Sequence, residues 1–265
     1  MDTLQTIRPA TAGVVRLVQI TDTHIFAGDD EHFKGFDTTA SLAAVITAIQ
    51  RLQPAPDCIL ATGDLVHDPV PAAYRRLSAQ LRTLPVPVCC LPGNHDDPAL
   101  LQAELNCDQL STPKIIECGA WRILMLDTHL PGSQGGRLGA GELEFLETEL
   151  NGGAQAHRLI VMHHHPVPIQ SAWMDGMMLE NAADFWSIAG NCHSLRGVLW
   201  GHIHQDYQET RKGLELFGTP STCTQFRPAT EEPEMDCLPP AFRSLELYPD
   251  GVVVSKLHWV ESTPG

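Results

Sequence analysis

The sequence has no long apolar run. Its first hydrophobic stretch, residues 14–20, is short and broken by Arg16 and Gln19, with Asp2 close to the start. That does not resemble a signal peptide, and nothing elsewhere approaches the length of a membrane span. The chain is also poor in cations: 17 Lys and Arg stand against 32 Asp and Glu, a formal net charge of -15. A surface of that sign repels polyanions and disfavours extended contact with nucleic acid or an anionic membrane, while a small anion can still enter a locally positive cleft. The eight cysteines (Cys58, Cys89, Cys90, Cys107, Cys118, Cys192, Cys223 and Cys237) contain no CxxC pair, and several lie in apolar, strand-like runs. They read as buried free thiols of a reducing compartment, which points to a cytoplasmic protein. No internal repeat, low-complexity stretch or linker divides the 265 residues, so one domain, 1–265, is expected.

Against these absences stands an alternation of short apolar runs and helix-period segments. Residues 14–21, 58–61 and 86–91 read as strands, with helices at 38–52 and 72–84 between and after them. Further strands are expected at 121–126, 159–162 and 197–200, and a helix at 142–150. Alternating β and α elements predict a largely parallel sheet. From about residue 205 the chain becomes strand-rich, with strands at 214–217, 242–248 and 252–257, the last two joined across Pro249, Asp250 and Gly251.

Residues of metal-ligand type recur where these strands end: Asp22 and His24, Asp64, Asn94 and His95, His164, then His202 and His204. In open α/β sheets that edge is where sites are built. Asp22/His24 and His202/His204 are spaced by two, which directs both side chains the same way on an extended segment and nearly opposite ways on a helix. One such pair is weak evidence, because most histidines are surface or satisfied core residues. An ordered series of five motifs is strong. Carboxylate, imidazole and amide donors without thiolate suit Mn, Fe or Zn in a catalytic site, and disfavour a structural zinc site or an iron–sulfur cluster.

The series Asp22-Thr23-His24, Gly63-Asp64, Gly93-Asn94-His95-Asp96, His164-His165-Pro166 and Gly201-His202-Ile203-His204 resembles that of the calcineurin-like metallophosphoesterases. The resemblance implies an α/β sandwich of two mixed β-sheets flanked by helices in α/β/β/α layers. It also implies a first metal on Asp22, His24 and His204, a second on Asn94, His164 and His202, and Asp64 bridging both. Two divalent ions against two carboxylates leave a cluster of about +2 by formal counting, which attracts a phosphodiester and acidifies a bound water.

Further matches over nearly the whole chain resemble the class III cyclic-nucleotide phosphodiesterases. These are VRLVQITDTHIF from Val15, the triplet His163-His164-His165, WMDGMMLEN from Trp173, GHIHQ at Gly201 and TPSTCTQF from Thr219. They imply hydrolysis of 3',5'-cyclic AMP to 5'-AMP by metal-bound hydroxide, with Fe or Mn favoured and Zn allowed, in a monomer or homodimer. His95 would protonate the departing 3' oxygen, and Asp96 could hold its ring. Rival readings are a related phosphodiesterase for glycerophosphodiesters or nucleotide-linked lipids, and a non-catalytic nucleotide-binding regulator.

Other features read as structural. His163 and His165 stay outside the ligand set as packing residues, and nothing in the spacing requires His67 or His129. The glycine-rich stretch 132–141 lacks the GxxxxGK[ST] arrangement and reads as a flexible turn. Glu231, Glu232, Glu234 and Asp236 read as a solvated loop, and Cys223 as a packed thiol. The acidic, aromatic loop 28–36 has no assigned contacts, so base recognition is left open.

Overall fold

The strand after the N-terminal segment shows how this sequence makes layers. In Val15–Ile20, Leu17 faces one hydrophobic cluster while Val18 and Ile20 face another, the period-two alternation of a strand buried on both sides. The computed structural model describes residues 4–11, 13–152 and 156–261. In chain order the elements are β1 (Leu4–Ile7), β2 (Val15–Ile20), α1 (Thr38–Gln50), β3 (Cys58–Thr62), α2 (Pro71–Leu81), β4 (Val88–Leu91), α3 (Pro98–Glu104), β5 (Leu110–Ser111), β6 (Ile115–Cys118) and β7 (Trp121–Met125). They continue with α4 (Ala140–Asn151), β8 (His157–Val161), α5 (Ala172–Asp175), α6 (Ala182–Ala189), β9 (Leu195–Trp200), β10 (Tyr207–Arg211), β11 (Leu214–Gly218), β12 (Gln225–Phe226), β13 (Met235–Asp236), β14 (Ala241–Leu247) and β15 (Val253–Trp259).

Two sheets form, in the orders β1-β6-β7-β8-β9-β11-β10 and β15-β14-β2-β3-β4-β5, beside the small pair β12-β13. Neither is wholly parallel. β2, β3, β4 and β5 run parallel, as do β7, β8, β9 and β11, but β14 joins β2 antiparallel and β6 joins β7 antiparallel. The expected largely parallel sheet is therefore only the centre of each sheet. The strand-rich tail explains the difference: β10 and β11 extend one sheet, while β14 and β15 cross to the other and return as a hairpin. Tyr248 N–H donates to the Val252 carbonyl (2.9 Å) to close that hairpin.

The two sheets pack face to face over Leu17, Leu60, Leu91, Trp121, Ile123, Val161, Leu199 and Phe217. The outer face of the six-stranded sheet is covered by α1 and α2 through Leu42, Val45, Ile46, Tyr74 and Leu77. That of the seven-stranded sheet is covered by α4 and α6 through Leu146, Leu150 and Phe185. The layers are thus α/β/β/α. Truncating a core leucine such as Leu60 to Ala removes packing worth about 2–5 kcal/mol. Asp37 caps α1 by accepting from Ala40 N–H (2.9 Å), and Pro71 opens α2 where its missing donor is not needed. All eight cysteines are free; Cys58, Cys89, Cys90, Cys118 and Cys223 are buried and Cys237 is exposed. Among the described residues no helix is long and apolar enough to cross a membrane.

Candidate metal centre

The loops leaving β2, β3, β4, β8 and β9 meet at one edge, where the sheets face each other. Asp22 and His24 follow β2, Asp64 follows β3, Asn94 and His95 follow β4, the histidine triplet follows β8, and His202 and His204 follow β9. Asp22, His24, Asp64, His202 and His204 all have left-handed backbone, with φ of 54°, 44°, 50°, 69° and 49°. The pairs spaced by two therefore converge through sharp left-handed kinks rather than along an extended strand. Such conformations are sparse for residues with a Cβ and gather at functional sites. The glycine before Asp64 has φ +92°, and a Cβ there would lie 2.4 Å from His163 Nδ1. Only glycine lets the Asp64 loop approach the triplet that closely.

Six of the seven expected ligands, Asp22, His24, Asp64, His164, His202 and His204, are buried, while Asn94 and its neighbour His95 are partly exposed. His24 Nε2 lies 3.4 Å from His204 Nε2 and 3.9 Å from Asp64 Oδ2, and His204 Nε2 lies 3.3 Å from Asp22 Oδ1. Across the site, His163 Nε2 lies 3.4 Å from Asp64 Oδ1 and 3.2 Å from Asn94 Oδ1. Donor atoms of Asp22/His24/His204, of Asp22/Asp64/His163 and of His163/His164/His202 lie within 4.8 Å of one another.

The histidine of the triplet that reaches Asp64 and Asn94 is thus His163, which the sequence reading left out. His164, placed in the ligand set there, sits within reach of His202 but has both ring nitrogens engaged outside the cluster. Its Nδ1 is 2.8 Å from Thr128 Oγ1 and its Nε2 is 3.3 Å from the Gln134 carbonyl. Strand parity gives the reason. Leu159 and Val161 face the other sheet, and His163 continues that face; Ile160 and Met162 face the helices, and His164 continues theirs.

Supporting contacts fix ring tautomers. His204 Nδ1 is 2.7 Å from the Thr224 carbonyl and His163 Nδ1 is 2.9 Å from the Thr62 carbonyl. Each Nδ1–H donates there, which turns Nε2 toward the cluster. The stretch 219–226 braces the first group: Ser221 Oγ donates to the Asp22 carbonyl (2.7 Å), and Phe226 N–H donates to the His204 carbonyl (3.1 Å). The glycine-rich stretch 132–141 carries Gln134, whose Oε1 accepts from Asn94 Nδ2 (3.1 Å). Thr128 and Gln134 were not read from the sequence, since neither lies in a motif.

Asp96 does not touch the His95 ring. Its carboxylate accepts from the N–H groups of Gly93 (2.9 Å), Leu65 (3.1 Å) and Val66 (3.3 Å) and from Tyr74 OH (3.1 Å), tying the Asp64 and Asn94 loops together. His95 Nδ1 instead lies 2.8 Å from the His67 carbonyl. His67 itself lies against the site, its ring 4.9 Å from that of His95. The His129 backbone N–H donates to Asp127 Oδ1 (2.8 Å).

The electrostatics ask for positive charge. Burial alone would depress His163, but the carboxylates of Asp64 and Asp22 outweigh it and carry its pKa up to about 9. Burial likewise opposes the charged form of Asp64, yet His163 and His24 hold it well below the usual carboxylate range. His24 and His202 are pushed well below the ordinary imidazole value, mainly by burial. Asp22 Oδ1 and His202 Nε2 are buried and have no hydrogen-bond partner among the described residues. An orphaned buried polar atom costs about 1–3 kcal/mol, which a bound cation removes. Metal–ligand bonds near 2.0–2.2 Å put two donors on one ion no more than about 4.4 Å apart, a limit met by the pair distances of 3.2 to 3.9 Å among Asp22, His24, Asp64, Asn94, His163 and His204.

The loop 28–36 lies over the first group. Phe33 and Phe36 exchange backbone hydrogen bonds (3.1 and 2.9 Å) around Lys34 and Gly35, whose φ angles are 52° and 86°. The Phe33 ring stacks on His24, with centroids 4.5 Å apart and planes at 12°.

Residues 15–206 match the family described as calcineurin-like phosphoesterase. The chain is 36% identical over 264 residues to the 3',5'-cyclic adenosine monophosphate phosphodiesterase CpdA of Escherichia coli K12, covering 99% of this chain and 96% of that one. It is 38% identical over 243 residues to the CpdA phosphodiesterase of Pseudomonas aeruginosa, covering 92% and 89%. Among solved structures it resembles a dimetal phosphatase from Danio rerio, with a TM-score of 0.61 at 15% identity over 94% of this chain and 100% of that one.

Proposed function

The chain belongs to the calcineurin-like phosphoesterases, and on that footing we propose that it is a metal-dependent phosphodiesterase hydrolysing 3',5'-cyclic AMP to 5'-AMP. The observation that carries the reading is the Asp64 carboxylate, whose two oxygens face His24 on one side and His163 on the other. The CpdA relatives over nearly the full length support the substrate. One ion would be held by Asp22, His24 and His204 and a second by Asn94, His163 and His202, with Asp64 shared. His164 would act as the prop that joins Thr128 and Gln134 to the cluster. The imidazole, carboxylate and amide donors favour Fe or Mn, with Zn allowed. The enzyme is proposed to work as one domain, 1–265, in the cytoplasm, as a monomer or homodimer.

Bound divalent ions would polarise the phosphoryl oxygens and activate water near neutral pH. The chain's own residues supply the rest. Asn94 and His95, the partly exposed members, face the incoming diester. The His67 carbonyl holds His95 Nδ1–H, so Nε2 is the nitrogen free to carry a proton to the substrate. As water oxygen bonds to phosphorus and the P–O3' bond breaks, His95 would give that proton to the departing 3' oxygen.

Purified protein reconstituted with Mn or Fe should be assayed against cyclic AMP, cyclic GMP, a 2',3'-cyclic nucleotide and a glycerophosphodiester. Turnover of cyclic AMP to 5'-AMP is expected. Efficient turnover of the glycerophosphodiester with none of cyclic AMP would overturn the substrate assignment.

A further inference from the structure

The cluster accounts for a phosphodiester but not for what hangs from it. On one side the wall of the site is made of rings in series. His95 lies 4.9 Å from His67, and His67 lies 5.2 Å from Phe33 and 4.5 Å from Phe26. Phe33 is partly exposed, with one face against His24. An apolar ring at this point has no part in binding phosphate, metal or water.

Phe33 is also held firmly. The positive φ at both Lys34 and Gly35 is the pattern of a type I' hairpin turn, the tight form that fixes the residues on either side. Upstream the loop is tied to α2 by Arg76, which pairs with Asp29 and donates to the Ala27 carbonyl (3.3 Å). A clamped, partly exposed aromatic ring is a preformed stacking surface, which lowers the ordering cost of binding a flat ligand.

We propose that Phe33 is the specificity residue that receives the nucleobase by stacking, with the His67 ring continuing the surface toward the ribose. The inference rests on the nucleotide reading above. In that reading His95 serves the ribose 3' oxygen, and the base is attached to the same sugar. The ring series starting at His95 therefore leads from the ribose to Phe33 along the side where a base would lie.

The test is calorimetric titration of metal-loaded protein with 5'-AMP and with ribose 5-phosphate, which differ only in the base. Wild type should bind 5'-AMP more tightly, and Phe33→Leu should weaken 5'-AMP by about tenfold while changing ribose 5-phosphate little. That loss lies within the range of base–aromatic stacking. Phe33→Tyr, which keeps the ring, should restore the preference for 5'-AMP. Equal affinity of wild type for the two ligands would sink the nucleotide reading together with this proposal. A wild-type preference that Phe33→Leu leaves intact would overturn the role of Phe33 alone. Equal weakening of both ligands, with metal lost on elemental analysis, would make Phe33 a packing partner of His24 and overturn the proposal.

Discussion

The two sheets bring different chemistry to their common edge. The six-stranded sheet supplies the oxygen donors, Asp22, Asp64 and Asn94, with His24 as its single imidazole in the proposed set. The seven-stranded sheet supplies only imidazoles, His163, His202 and His204. Of the groups able to hold an ion, Asp22/His24/His204 and Asp22/Asp64/His163 both draw on the two sheets. The face-to-face packing that buries Leu60 and Leu199 in one cluster is therefore also what assembles the site. Carboxylate and amide oxygen sit on one side and imidazole nitrogen on the other, the two donor types that catalytic divalent ions take together.

The largest break in that arrangement is Asp64→Ala. It removes the carboxylate that faces both groups, so activity should be abolished and both ions lost; elemental analysis showing two ions retained would refute the shared role. Next comes the partner from the other sheet. His163→Ala should deplete one ion and remove most turnover, whereas His164→Ala, which removes a support, should lower metal affinity or activity by about 10- to 100-fold. The reverse ranking in metal content would restore His164 as the ligand.

His95→Ala sharpens the comparison by leaving the proposed ligands of both sheets in place. Turnover of cyclic AMP should fall by roughly 10²- to 10⁴-fold with both ions kept. A nitrophenyl phosphodiester, whose leaving group departs as a stable anion, should lose much less. Equal losses on the two substrates would rule out proton donation as its main role. The smallest effect is expected from Gln134→Ala, which frees the Asn94 amide: about a tenfold drop in metal affinity or activity, at the mild end for a supporting residue. A variant indistinguishable from wild type in both would mean that Asn94 holds its own position.

The motif residues were legible because their chemistry is carried by identity and order. Asp22, His24, Asp64, Asn94, His202 and His204 come together as their places at strand ends suggest. The side on which His163 meets Asp64 was legible too, had the alternation from Leu159 to Val161 been carried two residues past the strand. What the sequence could not show is contact across the chain. Gln134 and Thr128 reach the site from loops without a motif, and Asp96 is turned toward Tyr74 instead of the adjacent His95. The same limit applies to the sheets. β1, β6 and β10 are short or partly exposed, and a strand's partner is set by long-range packing, so periodicity separates strand from helix without revealing that β14 would lie beside β2.

The left-handed backbone at five of the proposed ligands has a consequence for the lifetime of the protein. Each such residue costs about 1 kcal/mol or more, a cost that the chain carries without compensation whenever no cation is bound. Ions that bind only the folded form raise its stability by mass action. The metal-free chain should thus open more often and be cut sooner by proteases than the loaded one. Through this edge alone, metal supply would govern how much of the protein persists as well as how fast each copy works.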